Sequence, residues 1–166
     1  DELTDDLSFD TSFNLTALNN EVTFVNSENS FIPGGGFGIG QNPPARFEAG
    51  FPIGYFRGLQ TDGLFQSQSE VDASAQPDAA PGDIRFIDQD GDGSIDADLD
   101  AVEIGDPIPE VTLGFNISIN YKNFDFLTYA YASLGNDIVR NYERFQPLTN
   151  RTTAFLNRFT TPGSSN

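Results

Sequence analysis

Apolar and polar residues alternate along two long stretches of the chain. Between Leu7 and Ala17 the odd-numbered positions are apolar except for one threonine, while the even-numbered positions carry Ser, Asp, Ser, Asn and Thr. Between Val111 and Tyr121 the odd-numbered positions are again apolar or aromatic, and the even-numbered ones are polar or glycine. A period of two is typical of a β-strand with one face in an apolar environment. The pattern therefore predicts two strands of about ten residues each.

A third long strand is predicted after a tight turn at Lys122 and Asn123. Residues 124–134 resume the alternation, with Phe, Phe, Thr, Ala and Ala on one face. The other face carries Leu127, Tyr129 and Tyr131, which are not polar, so the pattern leaves the orientation of this strand open. A fourth strand is predicted over residues 46–59, bent or interrupted by the Gly-Phe-Pro sequence within it.

The predicted strands are long for a soluble sheet. Strands in soluble proteins average about five or six residues, whereas strands that cross a membrane need about nine to eleven. Polar, glycine-rich and proline-rich connections at residues 31–44 and 66–81 contrast with the two-residue turn at Lys122. Long loops at one end and short turns at the other are typical of an outer-membrane β-barrel, whose odd-numbered residues on the strand 111–121 would face lipid. The alternative is a large soluble β-sandwich with long strands.

Composition narrows the possible functions. The 166 residues suffice for one domain with a core, and 25 acidic against 8 basic residues give a formal net charge of −17. Phosphates would repel such a surface, so nucleic acid is excluded as a partner. The chain has no Cys and no His, and no run of 18 apolar residues. Disulfides, thiolate metal sites and membrane-spanning helices are therefore not expected, and an enzyme is the weakest of the possible functions. The first residue, Asp1, and the Gly-Ser-Ser-Asn ending suggest an excerpt of a longer chain.

The acidic loop of residues 88–100, DQDGDGSIDADLD, is the strongest candidate for a binding site. Calcium takes six to eight oxygen ligands, and a loop of about a dozen residues supplies them when carboxylates at its first, third and fifth positions precede a glycine at the sixth. The carboxylates here are Asp88, Asp90 and Asp92, followed by Gly93. The backbone carbonyl of Ser94 and the carboxylate of Asp96, acting through water, complete the predicted set. A merely acidic, solvated turn is the alternative.

The last ligand of this predicted calcium site is displaced. The twelfth position, which should carry a carboxylate, is Leu99, with Asp98 before it and Asp100 after it. Coordination therefore requires a one-residue bulge or a water in place of the ligand. Magnesium fits such a loop less well than calcium, because it demands a near-ideal octahedron.

Three segments of the chain resemble the C-terminal part of the SusC/RagA-type TonB-dependent outer-membrane transporters of the Bacteroidetes. The segments are PIGYFRGLQTDGLFQSQSEVDA at residues 52–73, PGDIRFIDQDGDGSIDADLDAVEIGDPIPEVTLGFNISINYKNFDF at 81–126, and GNDIVRNYE at 135–143. Their order and spacing also resemble that family. In the family the acidic loop ends at a fixed distance before an Ile-Gly pair, here Ile104 and Gly105, and by this spacing Asp100 rather than Asp98 corresponds to the last carboxylate.

The resemblance implies a fold, a location and partners. Residues 1–166 would be a fragment of a transmembrane antiparallel β-barrel of about 22 strands, located in the bacterial outer membrane and surrounded by lipid, with no plug domain in this chain. The whole protein would import a large nutrient, an oligosaccharide or a peptide, with energy from the TonB complex and with a SusD-like surface lipoprotein as a lid. Calcium in the acidic loop would be structural. The aromatic residues Tyr129, Tyr131, Tyr142 and Phe145 would stack on sugar rings if they line the barrel interior, although aromatic residues in barrels more often lie at the lipid interface.

A soluble calcium-binding β module of a surface adhesin or binding protein is the competing hypothesis. It explains the acidic loop but not the long strands or the order of the three segments. An enzyme would need more than carboxylate pairs such as Glu103 and Asp106, because no His, Cys or nucleophile elbow accompanies them.

Overall fold

A computed structural model describes residues 2–4, 6–27, 30–36, 43–140, 153, 156 and 158–163. Ten strands and one short helix lie in this part of the chain. The strands are β1 (Glu2–Thr4), β2 (Leu7–Ala17), β3 (Phe31–Pro33), β4 (Arg46–Glu48), β5 (Phe56–Leu59), β6 (Thr61–Leu64), β7 (Ile84–Phe86), β8 (Ala101–Gly105), β9 (Val111–Tyr121) and β10 (Phe124–Leu134), and the helix α1 is Gln68–Asp72. No described helix has both the length and the apolar character that crossing a bilayer requires.

The main sheet has the order β1-β2-β9-β10, and all its pairings are antiparallel. Strands β2, β9 and β10 each contain 11 residues, as the alternation predicted. At one end of the sheet short turns join β1 to β2 and β9 to β10, and the Lys122 amide donates to the carbonyl of Asp6 at 2.9 Å. At the other end the chain leaves β2 and returns to β9 only after residues 18–110. The predicted asymmetry of short turns and a long connection is therefore present.

The register fixes which residues share a face. Phe13 lies opposite Phe115, which lies opposite Ala130, and the same row-by-row pairing extends along all three strands. The odd-numbered residues of β2 and β9 thus share one apolar face with the even-numbered residues of β10. Phe13 is 64% exposed and Phe126 is 58% exposed on this face. The hydroxyl of Thr11, a polar group on this face, donates to the backbone carbonyl of Asn116 at 3.1 Å. A broad apolar face of this kind, with the Thr11 hydroxyl paired to the backbone, suits lipid rather than water.

The opposite face is polar, and it includes Leu127, Tyr129 and Tyr131 of β10. The Asn116 amide donates to the Ser12 hydroxyl at 3.0 Å, and Asn120 donates to Ser8 at 3.1 Å, so side chains of β2 and β9 are linked across the strands. The register settles the orientation of β10, which the sequence pattern left open. The predicted lumen residues Tyr142 and Phe145 lie outside the described residues.

Residues 18–110 form a small folded unit with a core of its own, here called the insertion. The buried apolar side chains of the described residues all lie in it: Val25, Tyr55, Phe65, Val71 and Ala101. Three two-stranded sheets, β3-β4, β5-β8 and β6-β7, frame this core. The predicted connections at 31–44 and 66–81 are therefore not separate loops between membrane strands. They belong to the insertion and contain β3 and α1, although residues 37–42 lie outside the described part.

The strand predicted over residues 46–59 is interrupted, and the interruption includes the Gly-Phe-Pro sequence as predicted. The structure has two short strands there, β4 and β5, and they belong to different sheets. Gly50 and Gly54 adopt φ angles of 90° and 72°, which a residue with a side chain rarely adopts, and Pro52 between them offers no amide hydrogen. The chain consequently doubles back, and the Arg46 amide donates to the carbonyl of Tyr55 at 3.0 Å. These strands shape the insertion and do not cross the membrane.

The face assignment predicts unequal effects of a charge at neighbouring positions of β9. Replacing Ile117, on the apolar face, by Arg should destabilise the folded receptor by about 2–4 kcal/mol at mid-membrane depth, because the guanidinium would enter hydrocarbon. Replacing Ser118, on the polar face, by Arg should cost much less. A folding titration of the full-length receptor in lipid measures both changes, and equal tolerance of the two would contradict the assignment.

Candidate metal centre

The acidic loop connects two short sheets of the insertion. It starts after β7, which pairs with β6, and ends at β8, which pairs with β5. Since β5 and β6 are nearly consecutive in the chain, their partners hold the two ends of the loop close together. The Ile87 amide donates to the carbonyl of Gln60, the residue between β5 and β6, at 3.0 Å. The loop is thus a closed turn with fixed ends.

Three of the predicted ligands converge. Asp88, Asp90 and Asp100 each offer a carboxylate oxygen, and these oxygens lie within 4.8 Å of one another. Asp100 is buried, with 1% of its surface exposed, whereas Asp90 is exposed and Asp88 is intermediate. This group is called the carboxylate triad below. Converging carboxylate oxygens are the ligand type that calcium takes.

Backbone amides fix the buried member of the triad. One carboxylate oxygen of Asp100 accepts from the Gln89 amide at 2.7 Å and the other accepts from the Asp96 amide at 2.6 Å. The hydrogen bond from Asp96, followed by the one from Gln89, lowers the pKa of Asp100 although burial opposes them. Asp100 is therefore ionised at neutral pH, and its negative charge is held at the base of the loop.

Glycines bring the first ligand into place. The Gly91 amide donates to one oxygen of Asp88 at 2.7 Å, and the Gly93 amide donates to the other at 2.9 Å. Both glycines have positive φ, 75° for Gly91 and 85° for Gly93, which side chains disfavour. The sharp turn that the sequence predicted at Gly93 is present. A carboxylate oxygen has two lone pairs, so these hydrogen bonds leave Asp88 able to bind a cation as well.

Repulsion between the carboxylates affects the pKa of Asp90. A hydrogen bond from the Asp92 amide lowers its pKa, but desolvation and repulsion from Asp92, Asp100 and Asp88 outweigh that effect. The pKa of Asp90 is consequently raised above the usual carboxyl value. A bound cation would remove the repulsion that raises it.

The remaining predicted ligands lie outside the triad. Asp92 accepts from the Ser94 amide at 2.8 Å, and one oxygen of Asp96 accepts from the amides of Asp98 and Leu99 at 2.7 and 3.1 Å. These hydrogen bonds join residues two or three apart and form local turns in the loop. The coordination roles of Asp92, Ser94 and Asp96 stay predictions.

The structure distinguishes the two candidates for the last carboxylate. The Asp100 amide donates to the carbonyl of Asp96 at 2.9 Å, and this helical turn takes up the extra residue and directs Asp100 into the triad. Asp98 instead points outward, with 90% of its side chain exposed, and lies 4.0 Å from the Arg46 guanidinium. The turn supplies the bulge that the spacing required.

Sequence reasoning missed the cations that hold the loop. Arg57 donates to the backbone carbonyl of Asp98 at 2.7 Å, and Arg46, which also lies over the Phe31 ring at 3.8 Å, faces the Asp98 carboxylate. The basic residues are scattered along the chain, and only the fold brings these two to the loop. Both arginines flank the chain reversal at Gly50 and Gly54, since Arg46 lies in β4 and Arg57 in β5. No feature of the sequence indicated that this reversal contacts the acidic loop.

Comparison with known proteins agrees with this architecture. No family model matches the chain. TonB-dependent receptor P3 of Formosa agariphila is 34% identical over 140 residues, which are 82% of the chain and 14% of the receptor. TonB-dependent receptor P26 of the same organism is 37% identical over 94 residues, 56% of the chain and 9% of the receptor. TonB-dependent receptor SusC of Bacteroides thetaiotaomicron is 26% identical over 142 residues, 84% of the chain and 13% of SusC.

Long antiparallel strands with one apolar face, together with these relatives, define a segment of an outer-membrane β-barrel receptor. The chain belongs to the TonB-dependent receptors of the SusC type. It spans about one seventh or less of the length of the curated relatives it matches, at 14%, 9% and 13%.

The carboxylate triad predicts that Asp100 is critical for loop order and Asp98 is not. Replacing Asp100 by Ala removes the acceptor for two backbone amides, so the loop should exchange amide hydrogens faster and be cleaved more readily by protease. Replacing Asp98 by Ala, the matched control, removes only an exposed ion pair, which contributes little. Hydrogen exchange of the full-length receptor measures both effects, and an equal response of the loop to the two changes would contradict the structural role of Asp100.

Proposed function

We propose that the chain is part of a transporter that imports large nutrients, oligosaccharides or peptides, across the bacterial outer membrane. The observation that carries the proposal is the sheet β2-β9-β10, whose apolar face suits lipid and whose polar face suits an aqueous interior. The one long connection between its described strands, residues 18–110, lies at the end opposite the short turns, an asymmetry typical of outer-membrane barrels. The relatives, which are TonB-dependent receptors, support the same function.

The proposed transporter works with two partners. A SusD-like surface lipoprotein would cover the extracellular side, where the insertion lies, and the TonB complex would supply energy through parts of the protein outside this chain. The name of the relative SusC supports this assignment. The competing hypothesis of a soluble calcium-binding module is not favoured, because it does not account for the exposed apolar face at Phe13 and Phe126.

Uptake by the organism tests the transport proposal. Cells that lack the full-length receptor should lose import of one labelled oligosaccharide or peptide that the parent strain takes up, and cells that lack TonB should lose the same import. Restoring the receptor gene should restore uptake, and the lipoprotein should copurify with the restored receptor. Unchanged uptake of every labelled oligosaccharide and peptide in cells without the receptor would contradict the proposal.

We further propose that the acidic loop binds one structural calcium ion, with the carboxylate triad as its core. The triad supplies three carboxylates that repel one another when no cation balances them. Asp100 is already ionised and positioned, while the raised pKa of Asp90 reflects the repulsion a cation would relieve. The ion would have a structural role and would order one side of the insertion. The chain offers no His or Cys that could act with the ion in catalysis.

Calcium binding should depend on the triad and not on Asp98. Isothermal titration of the full-length receptor with calcium should show one site in this loop, and Asp90→Asn should weaken it by at least about tenfold, because the charge of the ligand set sets the affinity. Asp98→Asn should leave the affinity unchanged. Removal of calcium by a chelator should also increase protease cleavage between β7 and β8. Protease resistance that is the same with and without the chelator would contradict the proposal.

A further inference from the structure

The insertion meets the rim of the main sheet where the ends of three neighbouring strands lie in one row. Ala17 of β2 lies opposite Val111 of β9, which lies opposite Leu134 of β10. The chain enters the insertion after Ala17 and leaves it before Val111, and the Leu18 amide donates to the carbonyl of Glu110 at 2.8 Å. Because these two crossings are adjacent, they alone would let the insertion pivot about the line that joins them.

A second attachment joins the insertion to the chain that leaves β10. The Asp137 amide donates to the carbonyl of Asp106 at 2.6 Å, and the Asp106 amide donates to a carboxylate oxygen of Asp137 at 3.1 Å. Gly105 permits this close approach, because a Cβ there would lie 2.9 Å from the Cβ of Asp137. This reciprocal pair of hydrogen bonds is called the clasp below. It ties the insertion to the third strand of the row.

The residues between the clasp and β9 have little conformational freedom. The Asp106 carboxylate accepts from the Ile108 amide at 2.8 Å, which closes a local turn. Pro107 and Pro109 each have a φ angle fixed by the proline ring. A restraint on Asp106 is therefore transmitted to the start of β9 through a stiff segment.

The chain between β10 and the clasp is constrained as well. Gly135 has a φ angle of 79°, and a Cβ there would lie 2.8 Å from Cγ of Glu110, so its backbone packs on that side chain. The Ser133 hydroxyl donates to the side-chain oxygen of Asn136 at 2.9 Å. The Gly-Asp-Pro-Ile-Pro sequence at 105–109 and the Gly-Asn-Asp sequence at 135–137 thus meet at the rim.

Residues further along the chain contact the insertion at another place. The Gly163 amide donates to the side-chain oxygen of Gln66 at 2.7 Å. The ring of Phe159 lies against the backbone of Gly82, where a Cβ would lie 2.6 Å from the ring. Gly82 in turn donates its amide to the carbonyl of the buried Phe65 at 2.8 Å. The chain after β10 therefore holds the insertion at its core as well as at the clasp.

We propose that the clasp fixes the insertion as a rigid part of the barrel rim, so that the insertion does not swing as a lid. A pivot about the β2 and β9 crossings would separate Asp106 from Asp137 and break both hydrogen bonds of the clasp together. The clasp involves neither the polar face of the sheet nor the carboxylate triad, so its effect depends neither on the imported nutrient nor on calcium. Any opening of the outer side would have to come from another element of the receptor or from a partner.

A distance measurement between two spin labels on the full-length receptor in lipid tests the proposal. One label is attached at Ser69→Cys in α1 and the other at Asp125→Cys in β10, both exposed positions, in a receptor without other cysteines. The receptor with an intact clasp should give one narrow distance distribution. Gly105→Ala, whose Cβ would collide with Asp137, should broaden the distribution because the insertion can then pivot.

A second variant and a matched control accompany this change. Asp137→Pro removes both the amide hydrogen and the carboxylate of the clasp, so it should also broaden the distribution. Gly35→Ala is the control, since a Cβ there would meet nothing within 4 Å, and the distribution should stay narrow. A gel shift between unfolded and folded receptor verifies that each variant forms its barrel.

Hydrogen exchange at the Asp106 amide gives an independent readout. Asp137→Ala should speed this exchange about threefold to tenfold, because one hydrogen bond is lost. Asp137→Asn keeps an acceptor oxygen and should retain most of the protection.

Several results would overturn the proposal. One is a broad or two-peaked distance distribution in the receptor with an intact clasp. Another is a distribution that stays narrow in both Gly105→Ala and Asp137→Pro, or that broadens equally in Gly35→Ala. Exchange at Asp106 that Asp137→Ala leaves unchanged would also count against the clasp.

Discussion

Pairing of backbone groups between β2 and β9 is the constraint on which the rest of the structure depends. A strand in hydrocarbon has no water to satisfy its amides and carbonyls, and each unpaired group costs several kcal/mol. Eleven residues of β2 pair in unbroken register with eleven of β9, although residues 18–110 separate them in the sequence. Because side chains alternate between faces, a shift of β2 by one residue against β9 would place Ser12 in lipid and Phe13 in the interior, while β9 kept its own faces. The register therefore sets the lipid face, the polar face and the position of the insertion together.

Charged side chains matter most in the insertion, away from the paired strands β2 and β9. The chain carries a formal net charge of −17, yet the described apolar face contains no charged side chain. Acidic groups are concentrated in the insertion, which is exposed to water, and the loop of residues 88–100 is the densest case. Backbone amides neutralise part of this charge at Asp88 and Asp100, and Arg57 and Arg46 hold the outer side of the loop at Asp98. The acidic loop is thus held at both its inner and its outer side by the fold of the insertion.

The sequence allowed correct prediction of the features that depend on local periodicity. The three 11-residue strands and the turn at Lys122 follow from alternation, and the sharp turn at Gly93 follows from the loop motif. Asp100 rather than Asp98 lies beside Asp88 and Asp90, and its role as the last ligand stays a prediction. The interruption of the strand expected over 46–59 follows from its Gly-Phe-Pro sequence, but strand propensity does not contain the reversal at two glycines with positive φ that places β4 and β5 in different sheets. The orientation of Tyr129 could not be read from its strand alone, since it is set by pairing with Asn116 of another strand.

The two ends of the insertion meet at a single point on the rim of the sheet. The Leu18 amide, just after β2, donates to the carbonyl of Glu110, just before β9, at 2.8 Å. The entry and exit are one hydrogen bond apart, and the intervening residues have their own core. The insertion also contacts the segment after β10, where the Asp137 amide donates to the carbonyl of Asp106 at 2.6 Å. The pairing of β2 with β9 therefore requires the insertion to bring its two ends together, but it does not require a particular length of chain between Leu18 and Glu110.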